Sequence, residues 1–406
     1  MRIFDSKRAL RLLAPLAFVL VVGGTGLVAA TASADKKLPT RTPEELLVDI
    51  QQAKTDGLSG TVVERADLGI PAIPGANGQD DPELTSLVSG THTLRVRYSS
   101  PDKARLAILG TYSEYDIIRN GKDVWTWASK DNAATHRTLT ADQAAQPGAT
   151  PSGTPRTPEE AAQQVLKTLE PTTTVTTDSA VEVAGRPAYE LVLTPRDAAT
   201  LVGQVRIAID ATEHIPLRLQ VIPRGGADPA FEVAFTRVSF ARPDDAEFRF
   251  TPPPGVTVKE GGNDVAAPGK ALANPQSTLN RLHEAIGKAT GGAAPSGEQG
   301  PQVVGSGWTA VLVARNDTPL GHAQPGQQEQ PAQPGQPGES GAGPGQGGNP
   351  LDRVLGALPR VSGGWGSGRL LRSSLFTVLI TDDGRVLVGA VTADRLYQVA
   401  ATAQAR

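Results

Sequence analysis

No cysteine occurs anywhere in the 406 residues. A chain without thiols has no disulfide framework, no thiol nucleophile and no cysteine-ligated metal, so its fold must rest on an apolar core. The same absence removes the lipobox cysteine, and with it a diacylglycerol anchor on the N-terminus. Histidine is scarce: His92, His136, His214, His283 and His322 are the full set. None stands at metal-ligand spacing from another ligand, and there is no His-Glu-x-x-His. No Gly-x-Ser-x-Gly elbow is present either. Charge of one sign is not in excess: the formal net charge is −3, which argues against a nucleic-acid partner. Beyond the N-terminus no run is apolar enough to span a bilayer.

What is present begins with a leader. Arg2, Lys7, Arg8 and Arg11 precede an apolar run from Leu12 to Val22, which continues through glycines to Ala30; Ala32-Ser33-Ala34 then stands before Asp35. Basic start, apolar centre and small-x-small exit are the layout of a secretory signal peptide. The centre, broken by Gly23, Gly24 and Gly26, falls short of the ~20 residues a span needs. An uncleaved anchor is the alternative. The leader contributes +3, from four cations and Asp5, so the 372 residues that remain carry about −6. That length suits two domains plus linkers.

The expected division is a signal peptide over 1–34, a first domain over 35–260, helix and linkers over 261–300, and a C-terminal module over 301–406. A Gln/Pro/Gly-rich segment over 316–350 interrupts that module, and its composition predicts disorder. Thr42-Pro43-Glu44 predicts the start of a helix running to about Lys54. Further helices are expected over Pro158–Leu169 and Leu279–Lys288. Strands are predicted at Gly60–Arg65, Leu94–Tyr98, Arg105–Leu109, Tyr112–Arg119, Val124–Trp127 and Thr135–Leu139. A second run covers Val175–Val183, Tyr189–Leu193, Gln204–Asp210, Leu217–Ile222 and Phe231–Phe240. Asn120-Gly121 signals a hairpin, because both residues tolerate positive φ. In the last module Trp308–Ala314 reads as a strand. A short helix, a glycine-rich turn, a hairpin across Asp382-Asp383-Gly384 and a terminal helix over Asp394–Ala401 follow.

Catalytic constellations are hard to assemble. Gly363-Gly364-Trp365-Gly366-Ser367-Gly368 lacks the lysine and the strand-to-helix context of an anion loop, and reads better as a turn. Asp382-Asp383 offers two acids and reads as a hairpin turn. Asp80-Asp81 and Asp244-Asp245 lie in proline-flanked loops as solvated charge. What survives is a wide apolar face built by many strands. Leu94, Val96, Leu106, Ile108, Trp125, Trp127, Leu191, Ile207 and Leu219 are the candidates for lining a concave ligand-binding face, with Tyr98, Tyr189, Phe231 and Phe235 as further apolar lining. A one-residue slip turns each strand's set to the other side. A solidly packed core with no ligand explains the same periodicity and stays open as the alternative.

Several segments resemble the LolA-like, RseB (MucB)-like lipoprotein-localisation family, including secreted homologues in high-GC Gram-positive bacteria. These are Ser59-Gly60-Thr61-Val62, Arg105-Leu106-Ala107, Asp116–Trp125, Gly185–Leu191, Asp210–Leu217 and Phe248–Val256, together spanning about Thr42–Val258. The resemblance implies an α+β fold: an incomplete, curved antiparallel β-barrel with helices in its concavity, followed here by a smaller C-terminal α+β module. It implies a site for acyl chains of lipids or lipoproteins in that concavity. The long C-terminal extension resembles that of RseB-like proteins, in which a second domain contacts a membrane protein. The combined expectation is an exported, non-enzymatic binder of lipid, lipoprotein or another amphiphile, without cofactor or metal and without nucleic acid, acting as an RseB-like envelope sensor. The other reading is a structural or interaction module. Export is checked by N-terminal sequencing of the protein from its host, which is expected to read Asp-Lys-Lys-Leu-Pro; full-length chain confined to the membrane fraction would instead show an anchor.

Overall fold

The computed structural model describes residues 38–69, 89–110, 112–140, 171–261, 302–315 and 358–402. The leader, the helices expected over 158–169 and 279–288, the short helix after Leu351, and the Gln/Pro/Gly-rich segment all lie outside these residues. Among the described residues the fold is mostly sheet, with two α-helices.

Helix α1 (Pro43–Gln52) starts where the sequence places it. Thr42 and Glu45 form a reciprocal cap: the Glu45 N–H donates to Thr42 Oγ1 at 3.2 Å and the Thr42 N–H donates to Glu45 Oε2 at 2.8 Å. Pro43, which has no N–H to satisfy, occupies the first turn.

Twelve strands follow: β1 (Gly57–Ala66), β2 (Gly90–Ser99), β3 (Lys103–Leu109), β4 (Glu114–Asn120), β5 (Asp123–Ala128), β6 (Ala133–Thr138), β7 (Thr173–Val183), β8 (Arg186–Pro195), β9 (Val202–Asp210), β10 (Pro216–Pro223), β11 (Phe231–Ser239) and β12 (Thr257–Glu260). They form one sheet in the order β12-β6-β5-β4-β3-β2-β1-β11-β10-β9-β8-β7. Every pairing is antiparallel except β12 on β6. The sheet is therefore two meanders, β2–β6 and β7–β11, joined by β1, which pairs with β2 on one edge and β11 on the other. Register shifts in β1/β11, β9/β10 and β7/β8 are the devices that bend such a sheet. It curves, but its two edge strands β12 and β7 do not meet, so the barrel stays open. Tight turns set the register: Ala184 and Gly185 both have positive φ between β7 and β8, as a two-residue hairpin turn requires.

A second, six-stranded sheet comprises β13 (Gln302–Val304), β14 (Val311–Arg315), β15 (Arg360–Gly363), β16 (Gly366–Arg372), β17 (Thr377–Thr381) and β18 (Arg385–Gly389), in the order β13-β14-β18-β17-β16-β15. Helix α2 (Ala393–Thr402) packs Leu396, Val399 and Ala400 onto Val311, Leu370, Leu379 and Leu387. The glycine-rich stretch is a turn, as expected: Gly364-Trp365 joins β15 to β16, and Trp365 is buried against Tyr397, ring centroids 5.4 Å apart. One expectation changes here. Trp308 lies in a short 3-10 turn (Gly307–Thr309) ahead of β14, with its Nε1–H donating to Thr173 Oγ1 at 2.7 Å. β12 and β13, only four and three residues long, are below the length at which alternation is readable. The smaller sheet docks on the larger through backbone bonds: Leu201 N–H to Ala390 O at 2.9 Å, Thr392 N–H to Ala199 O at 2.9 Å and Ser374 N–H to Leu68 O at 2.8 Å.

Gly60 sets how closely β1 and β11 approach. A Cβ there would lie 2.5 Å from the Phe235 ring and 2.7 Å from Arg237 O. Gly60→Ala is expected to cost about 1–3 kcal/mol, as overpacking does, read as a lower denaturant midpoint at unchanged slope. A midpoint that does not move would contradict this close contact.

Candidate functional site

Residues directly paired across a sheet point to the same side, so the register sorts every side chain. One row runs Tyr189–Ile209, Leu191–Ile207–Leu219–Val233 and Leu193–Val205–Val221–Phe231. It continues through β1 to Val62–Leu94–Ile108–Tyr115 and Gly60–Val96–Leu106–Ile117. This is the inner face, on which α1 lies: Leu46, Leu47 and Ile50 pack against Tyr189, Leu191, Leu193, Val205, Ile209 and Leu219. Toward β5 and β6 the face turns polar, with Arg119, Thr126, Thr135 and Arg137.

The outer face carries the ion pairs. Glu190 accepts from Arg206 and Arg218, both at 2.8 Å. Asp116 accepts from Arg105 at 2.5 Å. Buried Asp210 takes a bidentate pair from Arg186 and caps the turn that follows through the Thr212 and Glu213 N–H groups, at 2.9 and 2.7 Å. A polar depression of 620 Å³ lies where β9 and β10 meet the following turn. Its two arginines are already engaged, Arg206 on Glu190 and Arg224 on the carbonyls of Pro195, Asp197, Thr200 and Val202.

The nine residues singled out from the sequence fall into three groups. Leu191, Ile207 and Leu219 belong to the tight cluster beneath α1. Leu94, Val96, Leu106 and Ile108 share the same inner face on β2 and β3; Ile108 is buried and the other three are half-buried. Trp125 and Trp127 lie on the opposite, outer face, a correction to their expected place. Trp125 pairs with Ile118 and Trp127 with Asp116, in line with Arg105 and Ala107 rather than with Leu106 and Ile108. The reason is an aromatic partner far along the chain. After β11 the chain returns across the outside of β3–β6, burying Phe248 in a 3-10 turn (Asp245–Phe248) and setting Phe250 at 5.3 Å from Trp125 and 6.1 Å from Trp127. Lys103–Asp245 at 2.7 Å and Arg97–Glu247 at 2.8 Å fasten this clamp. His136 stacks on Trp125 at 4.3 Å.

The remaining motifs have structural roles. Asp383 holds Arg385, whose Nη1 donates to Ala400 O at 2.7 Å at the end of α2. Asp382 pairs with Arg360 at 3.0 Å and accepts from Ser367 at 2.5 Å. Asp244 caps the 3-10 turn. Asp80-Asp81, His283 and His322 lie outside the described residues. Among the described residues no three His, Asp or Glu side chains stand together in a way that could hold a metal ion.

One functional candidate is absent from the sequence-derived set. Glu64 projects from β1 onto the inner face, in line with Val62 and Ala66, opposite His92 on β2 and Val233 on β11. It is 4 % exposed, and neither carboxylate oxygen has a hydrogen-bond partner among the described residues. Burial raises its pKa from the ordinary carboxyl range to about 7, against the opposing effect of His92. Its parity with Val62 in a predicted strand was the available signal: an acid in the apolar register. The raised pKa has a definite sign in folding. The native state holds its proton up to higher pH than the unfolded state, so Glu64 subtracts stability as pH rises from about 4.5 to about 7. Glu64→Gln is expected to remove that loss, gaining on the order of 2 kcal/mol over wild type at pH 8 and little at pH 4. Denaturant titrations at the two pH values check this; an equal difference at both would contradict the buried-acid account.

No protein-family model matches the chain, and no curated protein matches it. Solved structures do match. The MucA/MucB complex of Pseudomonas aeruginosa aligns at 14 % identity and TM-score 0.40, covering 88 % of this chain and 96 % of that one. An uncharacterised conserved protein of Thermus thermophilus aligns at 13 % identity and TM-score 0.31, covering 54 % and 98 %. A LolA-superfamily protein of Nitrosomonas europaea aligns at 11 % identity and TM-score 0.20, covering 52 % and 99 %. MucB and the LolA superfamily are among the families that the sequence resembles.

Proposed function

We propose that the protein is an exported, non-enzymatic carrier or sensor that binds the apolar chain of a lipid, lipoprotein or other amphiphile on the inner face of its large sheet. The observation that carries this reading is the contrast between the two halves of that face. Beneath α1 the core is filled by Leu46, Leu191, Ile209 and Leu219. Over β2–β4, Leu94, Val96, Leu106 and Ile117 are only half-buried, although they continue the same apolar rows. An acyl chain laid there gains about 0.8 kcal/mol per buried CH₂. No helix among the described residues is long and apolar enough to cross a membrane, and the basic, apolar leader supports export. The smaller sheet, docked at the β8–β9 connection, is the proposed contact for a membrane-protein partner in an RseB-like regulatory role; MucB itself has been solved with MucA.

The second reading, an interaction module with a filled core, draws on the packing under α1. Titration with a fluorescent fatty-acid probe separates the two. The binding reading predicts saturable probe binding, weakened roughly fivefold by Leu94→Ala or Leu106→Ala through about 1 kcal/mol of lost apolar contact. Trp127→Ala, on the other face, is expected to destabilise by about 3 kcal/mol and to leave probe affinity unchanged. Absence of saturable binding to the parent protein would contradict the proposal and favour the filled core.

A further inference from the structure

We propose that Glu64 anchors the head of the bound molecule, and that this molecule is a cationic amphiphile whose ammonium group pairs with the Glu64 carboxylate. The inference rests on the amphiphile-binding reading and gives its ligand a charge.

The other buried acids of the sheet are satisfied. Glu190 has two arginines, Asp116 has Arg105 and Asp210 has Arg186. Glu64 has none, with both oxygens buried and unbonded among the described residues. A buried carboxyl without a partner is costly, and here that cost is met before any ligand arrives. A ligand that supplies a cation with N–H donors therefore gains a charge-assisted bond at full strength in a dry site. A fatty acid brings a second negative charge to the same spot and is repelled, while an alcohol offers one neutral hydrogen bond.

The surroundings fit a chain with such a head. Along β1 the neighbours on this face are Val62 and Ala66, and across β11 it is Val233. The residue opposite on β2 is His92, whose Nε2 lies 2.9 Å from Ser89 O. His92 is the one titratable group facing Glu64 across either pairing. Two residues along β2 from His92, Leu94 pairs with buried Ile108 and opens the apolar rows in which Leu94, Val96, Leu106 and Ile117 are half-buried, so a head at Glu64 leaves its tail directed along β2–β4. The head site and the tail site thus share one strand, β1.

The test uses the full exported chain and three twelve-carbon probes, dodecylammonium, dodecanol and dodecanoate, followed by calorimetry at pH 5.5 and pH 8. Wild type is expected to bind dodecylammonium at least tenfold more tightly than dodecanoate at pH 8, with the ratio shrinking at pH 5.5 as Glu64 takes up a proton. Glu64→Gln, which keeps His92 and the apolar rows, is expected to level the three probes while retaining the dodecanol affinity. Equal affinities in wild type, or a preference that survives in Glu64→Gln, would overturn the anchor and leave the apolar site standing. No binding of any probe would overturn the amphiphile reading, and the anchor with it. Should Glu64→Gln fail to fold, the ¹³C carboxyl resonance of Glu64 in wild type decides the matter: dodecylammonium is expected to move its titration midpoint down by at least one pH unit, and an unmoved midpoint would overturn the anchor.

Discussion

The architecture depends on β1 being hydrogen-bonded along both edges. Two meanders of five strands each are local structures that the chain can build from neighbouring segments. They become one sheet because the first strand pairs with β2 on one side and with β11, the last strand of the second meander, on the other. That central position fixes β1's register from both edges. It also means that no inner-face residue of β1 can be turned outward without breaking ten pairings with β2. Gly60 and Glu64 are therefore held where they are: one where a ring must approach, the other where a charge is costly.

A sheet with one wet and one dry face needs strict alternation, and most strands here supply it. Over β7–β11 and β1–β3, arginines and acids fill most outer positions and pair with one another across strands, while valine, leucine, isoleucine and tyrosine fill most inner ones; toward β5 and β6 the inner face turns polar and the outer face aromatic. The fold was accordingly legible in the chain to a large degree. Alternation located eleven of the twelve strands of the large sheet within a few residues. The Thr42–Glu45 cap and the Asn120-Gly121 turn identified α1 and a hairpin. The segments that carry the family resemblance proved to be framework: Gly60 makes room for Phe235, Arg105 pairs with Asp116, and Arg186 clamps Asp210. Such positions are constrained by geometry, which is why they are recognisable, and they say little about ligand chemistry.

The site was less legible, for two physical reasons. Alternation shows that Trp125 and Trp127 share a face, but not which one. That is decided by Phe248 and Phe250, more than a hundred residues on, whose matching spacing becomes meaningful only when the chain is seen to return over β3–β6. An acid in an apolar register, as Glu64 is, looks like noise until its burial is known. The very short strands β12 and β13 had too few residues for any period to register. In the smaller sheet, Asp382 and Asp383 proved to be turn chemistry: each is engaged by an arginine, and Arg385 ties the hairpin to the end of α2.

The central claim is that the inner face over β1–β4 receives an apolar chain while the aromatic outer face does not. Photo-crosslinking with an alkyl diazirine, followed by peptide mapping, tests this most directly. The account predicts labels on the peptides bearing Leu94, Val96, Leu106 and Ile117, suppressed by unlabelled amphiphile, and none above background on the Phe248–Phe250 clamp. Labelling confined to the clamp or spread evenly over both faces would contradict it.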